Sequence, residues 1–160
     1  MNIYLIGFMG SGKSYTARKL SKSMRLPVVD TDRVIEDDTG MSIAELFAQY
    51  GEEYFRELEL SAISEAEGIV SCGGGAPTYA PTAEFLSKNL TIFLDTDFDT
   101  CYRRIANDPY RPNAKGKTYE ELKSLYDSRR PLYLKTAILA AKPADIENLS
   151  KNKLFNDKAI

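Results

Sequence analysis

Gly7-Phe8-Met9-Gly10-Ser11-Gly12-Lys13-Ser14 decides the reading of this 160-residue chain. It fits the phosphate-loop spacing G-x-x-x-x-G-K-[ST], with the apolar run Ile3-Tyr4-Leu5 before it and a helical pattern after it. The glycines let the backbone curl so that successive N–H groups point at phosphate oxygens. The following helix adds the positive end of its dipole. Gly10, Ser11, Gly12, Lys13, Ser14 and Tyr15 are therefore placed as the triphosphate-binding segment. Lys13 is expected to reach the β/γ-phosphates and the Ser14 hydroxyl to ligate Mg²⁺. The loop points to a nucleoside triphosphate and leaves the acceptor open.

Composition narrows the rest. The length suits one domain with an ordinary apolar core. The net charge of −2 argues against a general nucleic-acid binder, which usually carries a basic excess. No run is long and apolar enough to span a membrane. The chain enters a strand almost at once, leaving no room for a signal peptide, so a cytoplasmic location is expected. Cys72 and Cys101 read as free thiols in a reducing compartment. Histidine is absent, so any general base is a carboxylate or a lysine.

Strand and helix patterns alternate from end to end, which reads as α/β with a parallel sheet. Strands are expected at Asn2–Ile6, Pro27–Asp30, Ile69–Cys72, Leu90–Leu94 and, more weakly, Ala137–Ala141. Helices are expected at Lys13–Met24, Thr31–Asp38, Ile43–Tyr50, Glu52–Glu67, Pro81–Ser87, Phe98–Asn107 and Tyr119–Leu134. Capping boxes at Ser42-x-x-Glu45 and Thr118-x-x-Glu121 mark two starts. Gly40 and Gly51 mark two exits. Residues 107–117 hold three breakers and three cations without apolar periodicity, and read as a mobile basic loop. The tail after Asp145 is polar and reads as a last, fraying helix.

Five further sites carry chemistry. Asp30-Thr31-Asp32 ends the second strand, on the side where open α/β sheets bind ligands. One of these carboxylates is placed to hold Mg²⁺ through water and the other to meet an acceptor hydroxyl, although an Asp there also suits a helix cap. Arg56 and Glu59 share a helix face. By themselves they read as a solvated surface pair. Gly73-Gly74-Gly75 allows close backbone approach to a ligand, and Cys72 beside it reads as a buried small residue. Arg111 could swing over a transferring phosphoryl group, although on residue type it reads as an exposed loop cation. Arg129-Arg130-Pro131-Leu132-Tyr133 interrupts a helix with proline and sets two arginines where they could clamp a carboxylate or merely face the helix dipole.

Taken together, these sites resemble the shikimate kinase family from about Asn2 to about Ala137. The phosphate loop is common to many families. The more specific likeness is Glu36, then Gly40-Met41-Ser42-Ile43-Ala44-Glu45-Leu46-Phe47, then Gly51-Glu52-x-x-Phe55-Arg56-x-x-Glu59. The Asp-x-Asp, the triple glycine, Arg111-Pro112 and Arg129-x-Pro131-Leu132-Tyr133 follow in order. The resemblance implies a P-loop kinase fold of three αβα layers, with a five-stranded parallel sheet. It implies a helical substrate-binding region at about residues 31–60 and a lid at about 107–117, all within one domain. It implies phosphoryl transfer from ATP, with Mg²⁺, to the 3-hydroxyl of shikimate, on the route to chorismate and aromatic amino acids. Carried over by position, the catalytic residues are Lys13, Asp32 and Arg111, with Asp32 as base or orienter. Arg111 also contacts ATP, Asp30 supports Mg²⁺ through water beside Ser14, and Asp32, Arg56, Gly73, Gly74, Gly75 and Arg129 hold shikimate. A monomer is implied. The chain departs from the family at Asn113-Ala114, where two leucines are usual. It departs again in its short C-terminal region, where no residue matches the family's adenine-contacting loop and only the stretch Lys142–Ile146 is a candidate for it.

Two rival readings are another small-molecule kinase of this fold, acting on gluconate or AMP, and a non-catalytic nucleotide-sensing module. The Phe-Arg-x-x-Glu and triple-glycine patterns speak against the first. Intact Lys13, Ser14, Asp30, Asp32 and Arg111 speak against the second.

Overall fold

Strand β1 (Ile3–Ile6) is buried along its whole length, as its uninterrupted apolar sequence requires. In the computed structural model, which describes residues 1–108 and 116–149, it is the centre of a five-stranded sheet. The other strands are β2 (Val28–Asp30), β3 (Ile69–Ser71), β4 (Thr91–Leu94) and β5 (Leu139–Ala141), in the order β2-β3-β1-β4-β5. Every neighbouring pair is parallel, with Leu5 opposite both Ser71 and Ile92.

Side chains alternate across a strand, and here the alternation builds two cores. Ile3, Leu5, Ile69, Ile92 and Leu94 face Ala17 and Leu20 of α1 (Lys13–Met24) and Ile146 of α8 (Pro143–Leu149). Tyr4, Ile6, Val70 and Phe93 face the other way. They meet α4 (Glu52–Glu65), α5 (Ala80–Ser87), α6 (Phe98–Ala106) and α7 (Tyr119–Thr136). The result is the expected three-layer αβα arrangement. A third cluster, Ile35, Leu46 and Phe55, joins α2 (Thr31–Thr39) and α3 (Ile43–Tyr50) to α4. It holds that helical group beside the carboxyl ends of β2 and β3.

The local signals worked as the sequence implied. Gly40 closes α2 at φ 68° and Gly51 closes α3 at φ 87°, each donating its N–H to the helix it ends. The capping box is complete at Thr118, while at Ser42 the side chain accepts from the Glu45 N–H.

Pro131 departs from expectation. It does not interrupt α7, which runs through it to Thr136. Tyr126 on one side and Tyr133 on the other are buried against the sheet. This packing holds the helix together although the proline has no N–H to donate. A short 3-10 turn at Ala76–Thr78 also forms where no element was expected.

The centre of the expected lid, with Arg111, Pro112 and the Asn113-Ala114 departure, lies outside the described residues. Among the described residues no helix is long and apolar enough to cross a membrane.

Candidate active site

The carboxyl ends of β1, β2 and β3 open into one cavity of about 1250 Å³. At one end lies the phosphate loop. Gly10 and Gly12 adopt φ of 76° and 98°, the left-handed region that glycine enters without strain. A side chain at Gly10 would also strike the Cys101 carbonyl, 2.8 Å from the position of its first carbon. Helix α1 starts without a side-chain cap, so its first N–H groups remain to meet an anion. The Lys13 ammonium donates to the Gly7 and Phe8 carbonyls at 2.8 and 3.1 Å, folded over the loop it serves. Ser11, Ser14 and Tyr15 line the same end. Two bonds from outside brace the loop: Thr96 Oγ1 donates to the Ser11 carbonyl at 2.8 Å, and Arg104 Nη1 to that of Gly10 at 3.0 Å.

Asp30 and Asp32 divide their work. Asp30 Oδ1 accepts from the N–H groups of Asp32 and Arg33 and so caps α2. Its other oxygen is left for the cavity it lines. Asp32 stands in the first turn of the helix with Oδ1 buried and without a hydrogen-bond partner. Its carboxyl is raised above the usual range, first by burial, then by Asp30; Lys13 and Arg56 oppose the shift.

Arg56 and Glu59 correct the surface-pair reading. Arg56 is 7% exposed and Glu59 0%. Arg56 Nη1 donates to Glu59 Oε1 at 2.8 Å, while Nη2 reaches the more exposed Glu52 at 3.4 Å. Arg56 Nε and Glu59 Oε2 are buried without partners. Burial pushes the Glu59 carboxyl up to about 7 against the pull of Arg56. The triple glycine explains how so many polar atoms fit. A side chain at Gly73 would collide with Glu59 Oε2 and lie 3.0 Å from Asp32 Oδ1, and one at Gly75 would run into the Arg56 guanidinium. Cys72 is buried as expected, and burial raises its thiol far out of the nucleophilic range.

The two arginines of α7 separate. Arg130 makes a bidentate pair with Asp95, at 3.1 and 2.7 Å, in a smaller cavity of about 350 Å³. Arg129 instead lines the large cavity, with Nη1 near Gly74. Among the described residues no carboxylate forms a salt bridge with it.

Every described site residue of the sequence reading therefore faces one space, cations and phosphate loop around buried carboxylates. Two contributions were not foreseen. Arg104 lines the cavity and holds the Gly10 carbonyl; it could have been found, because it stands three residues after buried Cys101 on α6 and so shares its face. The unpaired Oε2 of Glu59 is the second. Pro143, in the stretch Lys142–Ile146, also lines the cavity.

A family model for shikimate kinase matches residues 9–155. The chain belongs to the shikimate kinase family. The shikimate kinase of Staphylococcus aureus (strain MSSA476) is 38% identical over 158 residues, covering 96% of this chain and 88% of that protein. The solved shikimate kinase of Acinetobacter baumannii, in complex with shikimate, superposes with a TM-score of 0.84 at 31% identity, covering 99% of this chain and 93% of that one. A deoxyadenosine kinase of M. mycoides shares the fold alone, with a TM-score of 0.56 at 15% identity over 99% of this chain and 98% of that one.

Proposed function

We propose that the chain transfers the terminal phosphoryl group of ATP to the 3-hydroxyl of shikimate. The observation that carries this reading is the shared cavity. A phosphate loop at one end and Arg56, Arg129 and Asp32 at the other suit a small acceptor that is anionic at one side and hydroxylated at another. The S. aureus and A. baumannii relatives support the same acceptor.

In this reading the N-terminal N–H groups of α1 and Lys13 hold the phosphates. Arg56 and Arg129 hold the shikimate carboxylate with charge-assisted bonds. Arg56 is suited to this because Glu59 fixes one edge of its guanidinium and leaves Nε unpaired. The Gly73–Gly75 backbone lies along the ring. Asp32 Oδ1 accepts the bond of the 3-hydroxyl and turns its oxygen toward the phosphorus. Phosphoryl transfer has a loose transition state, so this alignment matters more than early proton removal. Arg111 is assigned to the transferring phosphoryl group by position in the sequence.

The donor set suits Mg²⁺, a hard cation that keeps much of its water and takes oxygen ligands. The Ser14 hydroxyl is exposed to the cavity, and the second oxygen of Asp30 remains available for a water-mediated contact. Mg²⁺ there would neutralise charge on the phosphate oxygens. The substrate-binding region is assigned to residues 31–60 and the lid to 107–117, in a cytoplasmic monomer.

The test is ADP release from Mg-ATP with shikimate, gluconate, AMP or no acceptor. Release with shikimate alone is expected. Release with gluconate or AMP, or equal release without acceptor, contradicts the assignment.

A further inference from the structure

Tyr133 stands four residues beyond Arg129 on the same face of α7 and is 1% exposed. Its ring stacks on Phe93 of β4, with centroids 5.0 Å apart and planes 29° from parallel. Packing alone would be served by phenylalanine. The hydroxyl does something more. It donates to the carbonyl of Gly74 at 2.5 Å, joining positions 59 residues apart. The Arg129 guanidinium lies beside the Tyr133 hydroxyl, with its Nη1 3.8 Å from the position of the absent Gly74 side-chain carbon. Gly74 in turn packs on the phosphate loop, with the position of its absent first side-chain carbon 3.5 Å from Met9 N and 3.6 Å from Gly7 O. One buried hydroxyl thus ties the middle of the glycine turn to the arginine that faces it.

We propose that Tyr133 is a positioning residue for the acceptor: its hydroxyl holds the Gly74 peptide and the Arg129 guanidinium in register, so that shikimate meets a turn and a cation already set. The inference rests on the acceptor assignment above. Burial raises the hydroxyl's ionisation far above the working range, so it remains a donor throughout. A preset site binds better because less ordering remains to be done when the ligand arrives.

The test is steady-state kinetics of Tyr133→Phe with each substrate varied in turn. The expected result is a rise in KM for shikimate of about tenfold, the loss of one neutral hydrogen bond in a buried site. Both kcat and KM for ATP should stay within about twofold, because the change leaves the α1 phosphate contacts alone. A shikimate KM within about twofold of wild type overturns the proposal, and so does an equal rise in both KM values, which marks a general structural role. If Tyr133→Phe does not fold, Tyr133→4-fluorophenylalanine fills the hydroxyl's space without donating. The same selective rise supports the proposal and an unchanged KM overturns it. Wild-type protein that ignores shikimate sinks the acceptor assignment as well; active wild type with an unaltered variant sinks this inference alone.

Discussion

Glu59 and Arg56 form a 2.8 Å ion pair one turn apart on α4, in a part of the helix closed to solvent. Such a pair is costly to desolvate, and removing one partner leaves the other charge stranded. Arg56→Ala should therefore destabilise the chain by about 3–5 kcal/mol, less where Glu59 can take up a proton. Urea unfolding at pH 8 and pH 6 should show the larger loss at pH 8. A loss under about 1 kcal/mol at both values, the range of an exposed pair, would contradict the buried-pair account.

The raised Glu59 carboxyl also gives stability a pH dependence. The folded chain keeps a proton up to about 7 that the unfolded chain releases near 4.5. Between these values the folded state binds more protons, so the Glu59 contribution falls as pH rises and is flat above about 7. The span corresponds to roughly 3 kcal/mol. Glu59→Gln keeps an acceptor for Arg56 and removes the titration, so its unfolding free energy should decline less than wild type from pH 4.5 to 7. Parallel curves for the two proteins would rule out this role for Glu59.

Asp32 lines the cavity with a buried, unpaired oxygen, and in the proposed reading alignment of the acceptor depends on it. Asp32→Asn should lower kcat by about 10²–10⁴-fold, the scale of a lost general base or aligning group, with ATP affinity kept. A kcat within threefold of wild type would remove Asp32 from the chemistry.

The three glycines should not be equivalent. A methyl group collides with Glu59 Oε2 at position 73 and with Arg56 at position 75, whereas at position 74 its nearest neighbour, Met9 N, is 3.5 Å away. Gly73→Ala and Gly75→Ala should each cost about 1–3 kcal/mol, as overpacked sites do. Gly74→Ala should cost less. Thermal unfolding of the three variants checks the order, and equal losses would contradict it.

Adjacent arginines on α7 allow a similar contrast. Arg129→Ala should raise the shikimate KM roughly 10- to 100-fold through loss of a charge-assisted bond. Arg130→Ala should leave that KM alone and lose only the partly exposed Asp95 pair, worth about 1 kcal/mol or less. Kinetics showing the reverse order would exchange their assignments.

Much of this was legible in the chain because the signals were local. Lys13–Met24 forms over the residues expected after the phosphate loop, and Ile43–Tyr50 over those its Ser42 cap and Gly51 exit predict. The parallel sheet follows from the alternation of strand and helix. What was not legible depends on neighbours distant in sequence. Nothing near Pro131 shows that Tyr126 and Tyr133 will be buried on either side of it. Arg56-x-x-Glu59 looks like any surface pair until Gly73 and Gly75 bring backbone against it. Sequence position favoured Arg129 over Arg130, and nothing local shows that Asp95, at the end of β4, will engage Arg130 and leave Arg129 at the large cavity.

Phosphoryl transfer to one hydroxyl of one acceptor leaves its mark on the product. Wild-type protein is incubated with Mg-ATP and shikimate, and the product is read by proton–phosphorus correlation NMR. A single phosphate ester coupled to the proton on C3 is the predicted result. A phosphate on another oxygen, or no phosphorylated shikimate while ATP is consumed, would contradict the placement of Asp32, Arg56 and Arg129 around this substrate.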